Sequence, residues 1–317
     1  MGQSRAGYNF FCIRSSSEQK DLPLPKSLTL VPAVAGIIES RGRTGIKNKP
    51  GNMATTFGIL GATGNTGQAI LQLLTKDPSI NVHCFVRNAR KLQRLSPQLL
   101  DNKRVRIFEA PIHDTAALAE CIAPCHAVFS CIATEENAPG TSIALDTAHA
   151  VVAALTHIRC VDKSRAPLPR IIVLSSGTIS DHLTRDTPSF ARNFVWCGFS
   201  YLYADLIRAE AYYRMHKAWM TAIFVLPGGL VHNEQTGHAV DTEKESGDFL
   251  SYLDLAAGMI ECASKGKEDA EWDWVSLSVV PTGKTKFNVK APFAILRGCV
   301  WTICPPLYSM LHWAGAV

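Results

Sequence analysis

From Thr55 onward, short apolar runs alternate with longer stretches whose apolar residues recur at helical spacing. The runs predict six strands, at residues 56–60, 82–86, 105–108, 127–132, 171–174 and 221–226. The amphipathic stretches predict helices at 67–76, 141–158 and 201–216, with a further helix capped by Asp114. Because strands joined by helices form a parallel sheet covered on both faces, the predicted fold is α/β with a doubly wound parallel sheet.

Residues 1–52 show no sustained helical or strand period, and only the stretch 28–38 is apolar. They carry eight Lys or Arg against three acids, together with prolines and a run of serines. We therefore predict a disordered extension over 1–52 and a compact domain that starts at Met53 and runs to about 290. Either these residues are a targeting or regulatory arm, or the true start of the protein is Met53. We favour the Met53 start, since the three acids weigh against a transit peptide.

The last stretch, 291–317, is an apolar tail that could be mistaken for a membrane span. Arg297, the pair Pro305–Pro306 and His312 divide it into pieces too short to cross a bilayer. We expect it to pack against the domain's C-terminal part or against a second subunit in a homodimer. Peripheral insertion into a membrane interface is the sharper alternative.

Composition excludes some partners. The net charge of +5 is mild, and no run of Lys and Arg is interleaved with aromatic residues, so nucleic acid is not an expected partner. Ten scattered cysteines and no apolar signal segment at the start indicate reduced thiols in a cytoplasmic protein. Cys121, Cys125 and His126 resemble a fragment of a metal site, but no second ligand pair lies nearby, so no metal is expected.

A glycine-rich loop closes the first predicted strand and opens the first helix, in the sequence Gly58-Ile-Leu-Gly61-Ala-Thr-Gly64-Asn-Thr-Gly67. Gly61 permits a tight turn, Gly64 lets backbone amides approach a pyrophosphate, and Gly67 lets the helix pack closely on the strand. The helix N-terminus adds partial positive charge. The loop therefore predicts a Rossmann-type dinucleotide site, whose cofactor-binding residues are Gly61, Thr63, Gly64, Asn65, Thr66 and Gly67.

The end of the second strand favours one cofactor over the other. An NAD site usually places an acid there, where it bonds the ribose 2′-hydroxyl, whereas this chain has Arg87 followed by Arg90 and Lys91, with no acid before Asp101. A guanidinium at Arg87 can bind a 2′-phosphate. NADP(H) is therefore predicted in preference to NAD(H).

The loop sequence resembles that of the atypical short-chain dehydrogenase/reductases, in particular their NmrA-like and NAD(P)H-binding branches. Four later segments are similar to oxidoreductases of fungal polyketide clusters of the aflatoxin and sterigmatocystin type: 171–176, 203–210, 226–232 and 252–258. The resemblance, over about residues 55–310, implies a Rossmann fold with a small C-terminal substrate lobe from about residue 227. It also implies a bulky aromatic polyketide substrate, and a loop at Pro227 and Gly228 that lies along the nicotinamide.

Classical members of this superfamily use a Ser at the end of strand five and a Tyr-x-x-x-Lys pair on the next helix. The resemblance assigns the Ser role to Ser175 or Ser176 and the Tyr role to Tyr203, but Ile207 stands where the Lys is expected. A tyrosine without a nearby cation has a pKa near 10 and is a poor base. The missing lysine leaves two rival functions open, a cofactor-sensing regulator without catalysis and a non-redox isomerase or lyase.

Other polar residues near this template are given lesser roles. Asp205 and Glu210 are expected to be solvated helix positions, with Glu210 paired to Arg214 one turn on. His232 could reach a substrate phenol, although a loop histidine is more often structural. The polar segment 233–248 is expected to be a mobile lid over the substrate.

Overall fold

The computed structural model of the chain describes residues 55–99, 101–134, 136–161, 167–232, 234–243, 249–264, 270–285 and 290–314. The extension predicted over 1–52 lies outside the described residues. The rest forms an α/β fold, as the alternation of strands and helices predicts.

One eight-stranded sheet organises the domain, in the order β3-β2-β1-β4-β5-β6-β10-β8. All neighbouring strands run parallel except β8, which pairs with β10 in the antiparallel sense. A separate pair, β7 and β9, is also parallel. The strands are β1 Thr55–Leu60, β2 Ile80–Val86, β3 Val105–Glu109, β4 Ala127–Ser130, β5 Arg170–Leu174, β6 Ala222–Val225, β7 Leu230–Val231, β8 His238–Asp241, β9 Leu250–Ser251 and β10 Ser276–Pro281.

Helices cover both faces of this sheet. They are α1 Asn65–Leu74, α2 Ala89–Leu95, α3 Thr115–Ile122, α4 Ile143–Val161, α5 Ser189–Gly198, α6 Ser200–Met215, α7 Tyr252–Ser264, α8 Ala291–Ile303 and α9 Pro305–Trp313. The Asp114 carboxylate caps α3 by accepting a 3.0 Å bond from the Ala117 amide, as the sequence predicts. Buried side chains such as Val128, Val151 and Phe224 fill the layer between the sheet and α3, α4 and α6.

The predicted count of six strands is too low, because the C-terminal part of the chain extends the main sheet. β10 joins the edge of β6, and β8 then pairs with β10 through partners such as Val240 and Val279. β8 lies inside the polar segment that the sequence predicts to be a lid. In the described part of that segment, residues 238–241 are therefore an edge strand rather than a mobile loop.

The apolar tail forms two helices, α8 and α9. Gly298 of α8 and Gly198 of α5 meet so closely that a Cβ on Gly298 would collide with the Gly198 backbone. Asn137 fastens the same contact by donating to the Gly298 carbonyl at 3.0 Å and accepting from the Tyr201 amide at 2.9 Å. The tail thus packs on α5 and α6. Within the described residues, every helix is too short or too polar to cross a membrane.

Candidate cofactor and active site

The turn between β1 and α1 requires glycine at two of its positions. Gly61 has a φ of +89°, and a Cβ there would lie 2.9 Å from the carbonyl oxygen of Cys131, which directly follows β4. A Cβ on Gly67 would collide with the Gly61 carbonyl oxygen. The loop therefore takes this shape only with glycine at both positions, because any side chain would push α1 away from β1.

Gly64, at the N-terminus of α1, has a different environment. It is exposed, and a Cβ there would meet only the Gly61 oxygen, at 3.4 Å. No side chain caps the helix at this end. The N-terminus of α1 is therefore open at Gly64, at the carboxyl edge of the sheet, with the positive end of the helix dipole behind it. This cradle fits a diphosphate group.

Two side-chain hydrogen bonds that stabilise the glycine loop were not predicted from the sequence. The Gln68 amide nitrogen donates to the Ala62 carbonyl at 2.5 Å, and its amide oxygen accepts from the Ser96 hydroxyl at 2.6 Å. Ser96 is buried at the end of α2. The loop that would bind phosphate is thus tied to the helix that follows β2, through side chains 28 residues apart.

Arg87 directly follows β2, and its side chain is exposed. Asn88 then caps α2 by accepting from the Lys91 amide at 2.9 Å. Glu109, at the end of β3, lies close to the start of α2, although it is 20 residues further along the chain than Ala89. Its carboxylate accepts a 3.2 Å hydrogen bond from the Ala89 amide. The guanidinium of Arg87 makes no hydrogen bond or ion pair with another described residue, so it is available to a ligand.

The two serines that follow β5 have different surroundings. Ser175 is buried, and its hydroxyl donates a 2.6 Å hydrogen bond to Glu210 of α6. Ser176 is half-buried and begins the short turn 177–179 without capping it through its side chain. Ser175 therefore bonds to the helix layer. The Ser176 hydroxyl makes no hydrogen bond with another described residue and lies at the edge where ligands bind in such sheets.

Glu210 is not the solvated helix residue that the sequence suggests. Its side chain is only 13 % exposed, because α6 turns this position toward β5. Burial raises the pKa of the Glu210 carboxyl, while the bond from Ser175 and the charge of Arg214 act against that rise. The predicted pairing with Arg214 is present, at 3.8 Å.

Asp205 is also buried, contrary to expectation, with 1 % of its surface exposed. Its two carboxylate oxygens accept from the amides of Ala144 at 2.8 Å and Leu145 at 3.3 Å. These amides belong to the first turn of α4, where backbone donors have no partner inside the helix. Asp205 therefore caps α4 from a neighbouring helix, which is a structural role.

Tyr203 lies on the buried face of α6. It is 5 % exposed and packs against the rings of Trp196 at 5.4 Å and Phe199 at 5.8 Å. Ile207, at the expected lysine position, is 42 % exposed. The Arg208 guanidinium donates a 3.0 Å hydrogen bond to the carbonyl of Thr141, just before α4 begins.

A narrow cleft opens beside Ser175, between β4, β5, α4 and α6. Its polar lining consists of Ser130, Thr147, Ser175, Glu210 and Tyr213, and the rest is apolar. Tyr213 is fully buried, and burial raises its pKa. Its hydroxyl therefore stays protonated across the physiological pH range.

The rim of the glycine loop includes a tyrosine that the sequence did not single out. Tyr252, the first residue of α7, accepts a long bond of 3.4 Å from the Asn65 side chain. His232 packs on the same ring, with centroids 4.6 Å apart. Because α7 packs along α1, Tyr252 and His232 lie beside the cradle for the diphosphate.

The loop after β6 joins this edge. Pro227 is buried, and its carbonyl accepts a 2.8 Å hydrogen bond from the Gly177 amide, which joins the loops that follow β5 and β6. Gly228 is half-buried beside it. The predicted cofactor residues at 61–67, 87 and 227–228 and the serines thus follow strands of one parallel sheet at its carboxyl edge.

Cys121 and Cys125 are part of the hydrophobic core. Cys125 is buried and its thiol donates to the Cys121 carbonyl at 3.3 Å, while His126 packs edge-on against Phe57. Burial raises the pKa of Cys125 to about 12, so it is not a thiolate at neutral pH. Among the described residues, no three His, Cys, Asp or Glu side chains are grouped as metal ligands would be.

Solved structures of the same architecture include a short-chain dehydrogenase/reductase from Veillonella parvula DSM 2008. It covers 74 % of this chain and 100 % of its own, with a TM-score of 0.58 and 17 % identity. A second structure of a Veillonella enzyme, in complex with NADP, gives a TM-score of 0.54. At this identity the likeness shows the fold alone. The fold and the phosphate cradle define a Rossmann-type dinucleotide-binding protein.

The sequence comparisons identify the family. The NAD(P)H-binding family model matches residues 61–265, and the chain belongs to that family. Oxidoreductase AgnL4 of Paecilomyces divaricatus is 40 % identical over 82 % of this chain and 98 % of its own length. Oxidoreductase aflX of Aspergillus parasiticus is 38 % identical over 80 % and 94 %. The predicted family is confirmed, and the chain is an NAD(P)-dependent oxidoreductase.

Proposed function

We propose that this protein is an NADPH-dependent reductase of an aromatic polyketide intermediate in fungal secondary metabolism. The observation that carries the proposal is the uncapped N-terminus of α1 behind an exposed Gly64, at the same sheet edge as Ser176. The relatives are fungal oxidoreductases, which supports a redox role. The aromatic polyketide substrate is what the resemblance of segments 171–176, 203–210, 226–232 and 252–258 implies.

Arg87 supports NADPH over NADH. It is exposed at the end of β2, where the adenosine ribose lies in Rossmann-type sites, and other described residues leave its guanidinium unbonded. Glu109, an acid at the same edge, already accepts a hydrogen bond from the Ala89 amide. A 2′-phosphate would gain a charge-assisted contact with Arg87, whereas a 2′-hydroxyl would gain little from it.

When bound, the nicotinamide cofactor supplies the hydride. The loop from Gly61 to Gly67 would hold the diphosphate through backbone amides, and the loop at Pro227 and Gly228 would bind the nicotinamide end. Ser176 donates a hydrogen bond to the substrate oxygen that gains charge, because Ser175 is already committed to Glu210.

Tyr203 then donates the proton that the reduced oxygen needs. A tyrosine without a lysine partner is protonated at neutral pH, so it suits proton donation better than proton abstraction. The absence of a lysine at position 207 is therefore compatible with reduction, the direction that consumes NADPH.

The test uses purified full-length protein, NADPH or NADH, and a panel of polyhydroxylated multi-ring aromatic ketones and quinones. Loss of reduced-nicotinamide absorbance with a matching reduced product supports the proposal. Product without cofactor turnover would instead assign a non-redox isomerase or lyase, and tight cofactor binding with no product from any compound would assign a sensor.

A further inference from the structure

Exposed apolar side chains are concentrated on one group of helices. Eight of the thirteen exposed large hydrophobic residues in the described part of the chain belong to α5, α8 and α9. We call this set the apolar face: Phe190, Phe194, Phe293, Leu296, Val300, Ile303, Met310 and Trp313. Concentrated exposure of this kind is typical of a surface that contacts another phase or partner.

The row on α8 is set by its packing. Phe293, Leu296, Val300 and Ile303 are three or four positions apart, so they share one side of the helix. The opposite side carries the buried Gly298, which meets Gly198 of α5. Because the glycine contact fixes the rotation of α8, the apolar row cannot turn inward.

Packing against α8 also fixes which side of α9 faces outward. Tyr308 packs edge-on against Trp301 of α8, with ring centroids 5.5 Å apart, and stacks on His312. This contact commits one side of α9 to α8. Met310 and Trp313 remain outside, at 59 % and 90 % exposure.

The charge of the C-terminal region indicates what kind of partner covers the apolar face. Between Trp274 and Val317 the sequence contains no Asp or Glu, whereas it contains four basic residues: Lys284, Lys286, Lys290 and Arg297. Lys290 and Arg297, seven positions apart, lie along one edge of the α8 row, and both are exposed. A second copy would bring the same positive charges together across an interface, whereas anionic lipid headgroups would attract them.

We propose that the apolar face lies on the surface of an anionic bilayer, with Phe293, Leu296 and Trp313 inserted at the level of the headgroups. The aromatic and aliphatic side chains enter the interface, and Lys290 and Arg297 contact the lipid phosphates. The proposal is independent of the substrate and cofactor assigned above.

The test is co-sedimentation of the full-length protein with phosphatidylcholine vesicles, either alone or mixed with phosphatidylserine at about 7:3. We expect at least tenfold stronger partitioning onto the mixed vesicles. Raising the salt to about 0.5 M should remove most of that gain, because it screens the headgroup attraction. Equal and weak sedimentation with both vesicles would overturn the proposal.

Matched variants test whether vesicle binding depends on the apolar face or on exposed apolar residues in general. Phe293→Ser with Leu296→Ser should lower partitioning at least tenfold, whereas Met215→Ser, an equally exposed apolar residue on α6, should leave it unchanged. Arg297→Gln should weaken binding to the anionic vesicles only, and Lys217→Gln should have no effect. The proposal is overturned if the natural protein is a dimer that does not bind vesicles and the Phe293/Leu296 variant is a monomer. That result would show that a second copy covers the apolar face.

Discussion

The hydroxyl of Ser175 donates a 2.6 Å hydrogen bond to Glu210, a residue 35 positions further along the chain. The bond connects the end of β5 with the middle of α6, in a place where both groups are largely buried. Two adjacent serines that look equivalent in the sequence therefore have separate roles. Ser175 contributes to packing and positioning, and Ser176 is the serine that we propose faces the substrate.

The first prediction separates the two serines by substitution. Ser176→Ala should lower kcat about 10²-fold, because it removes a donor to the oxygen that gains charge, while the melting temperature changes little. Ser175→Ala should lower stability by about 1–3 kcal/mol, because it leaves Glu210 buried without its donor. Both are measured by steady-state kinetics and urea unfolding. The reverse pattern, with Ser175→Ala inactive but stable, would contradict the assignment.

The second prediction concerns pH and Glu210. Burial raises the pKa of this carboxyl above its usual 4.5, so the folded protein binds the proton more tightly than the unfolded chain does. The contribution of Glu210 to stability is therefore greatest below pH 4.5 and is lost as the pH rises through the raised pKa. Glu210→Gln should remove this fall while keeping an oxygen that accepts from Ser175.

The measurement is the free energy of unfolding in urea between pH 4 and pH 8, compared between the natural protein and each variant. Glu120→Gln provides the control, since Glu120 is an exposed acid paired with Arg106 on the surface. Parallel curves for the natural protein and Glu210→Gln would show that the folded-state pKa of Glu210 is not raised.

The roles of Asp205 and Glu210 show where prediction from the sequence ends. The glycine loop and the six central strands could be predicted because their signals are local: glycines at fixed spacing and apolar runs of strand length. Asp205 and Glu210 were expected in solvent because acids on a helix usually are. Their partners lie 61 and 35 residues away, so only the folded chain brings them together.

The same reason explains the strands that were not predicted. β8 has four residues of mixed polarity and is held by cross-strand bonds to β10, about 40 positions away, rather than by its own pattern. Tyr252 was not identified as part of the site because its position beside Asn65 depends on the packing of α7 along α1. Such contacts leave no periodic signal in the chain.

The third prediction tests the cap that Asp205 provides. Asp205→Ala should destabilise the protein by about 1–3 kcal/mol, because a buried amide and a partly buried amide at the start of α4 lose their acceptor. Asp146→Ala, in the first turn of the same helix but exposed, should cost less than half as much. Urea unfolding of both variants decides the matter. Equal losses would mean that general charge near the helix N-terminus, rather than the cap, stabilises α4.

The fourth prediction concerns the choice of cofactor. Arg87→Ala should weaken NADPH binding by about 1–3 kcal/mol and leave NADH binding nearly unchanged, because only the 2′-phosphate would contact the guanidinium. Calorimetry with both cofactors measures the difference. Arg94→Ala, an exposed arginine in the last turn of α2, should alter neither affinity. If the natural protein binds NADH as tightly as NADPH, Arg87 does not select the cofactor.

The last prediction concerns Tyr203 and the position where a lysine is expected. Tyr203→Phe keeps the ring that packs on Trp196 and Phe199 but removes the hydroxyl. If Tyr203 donates the proton, kcat should fall about 10²–10⁴-fold while NADPH affinity and stability are retained. Tyr212→Phe, a half-buried tyrosine of the same helix, is the matched control and should keep near-normal turnover.

The companion variant is Ile207→Lys. Because Ile207 is 42 % exposed, a lysine there can keep its ammonium in water, so the variant should fold with little loss of stability. The ammonium would stand one turn after Tyr203 and favour the tyrosinate, so the pH optimum for oxidation of the alcohol should move downward. No change in that optimum would place the ammonium too far from Tyr203 to act on it. Near-normal turnover of Tyr203→Phe would exclude the tyrosine as proton donor and leave Ser176, His232 or the pair of His232 with Tyr252 as the groups to test next.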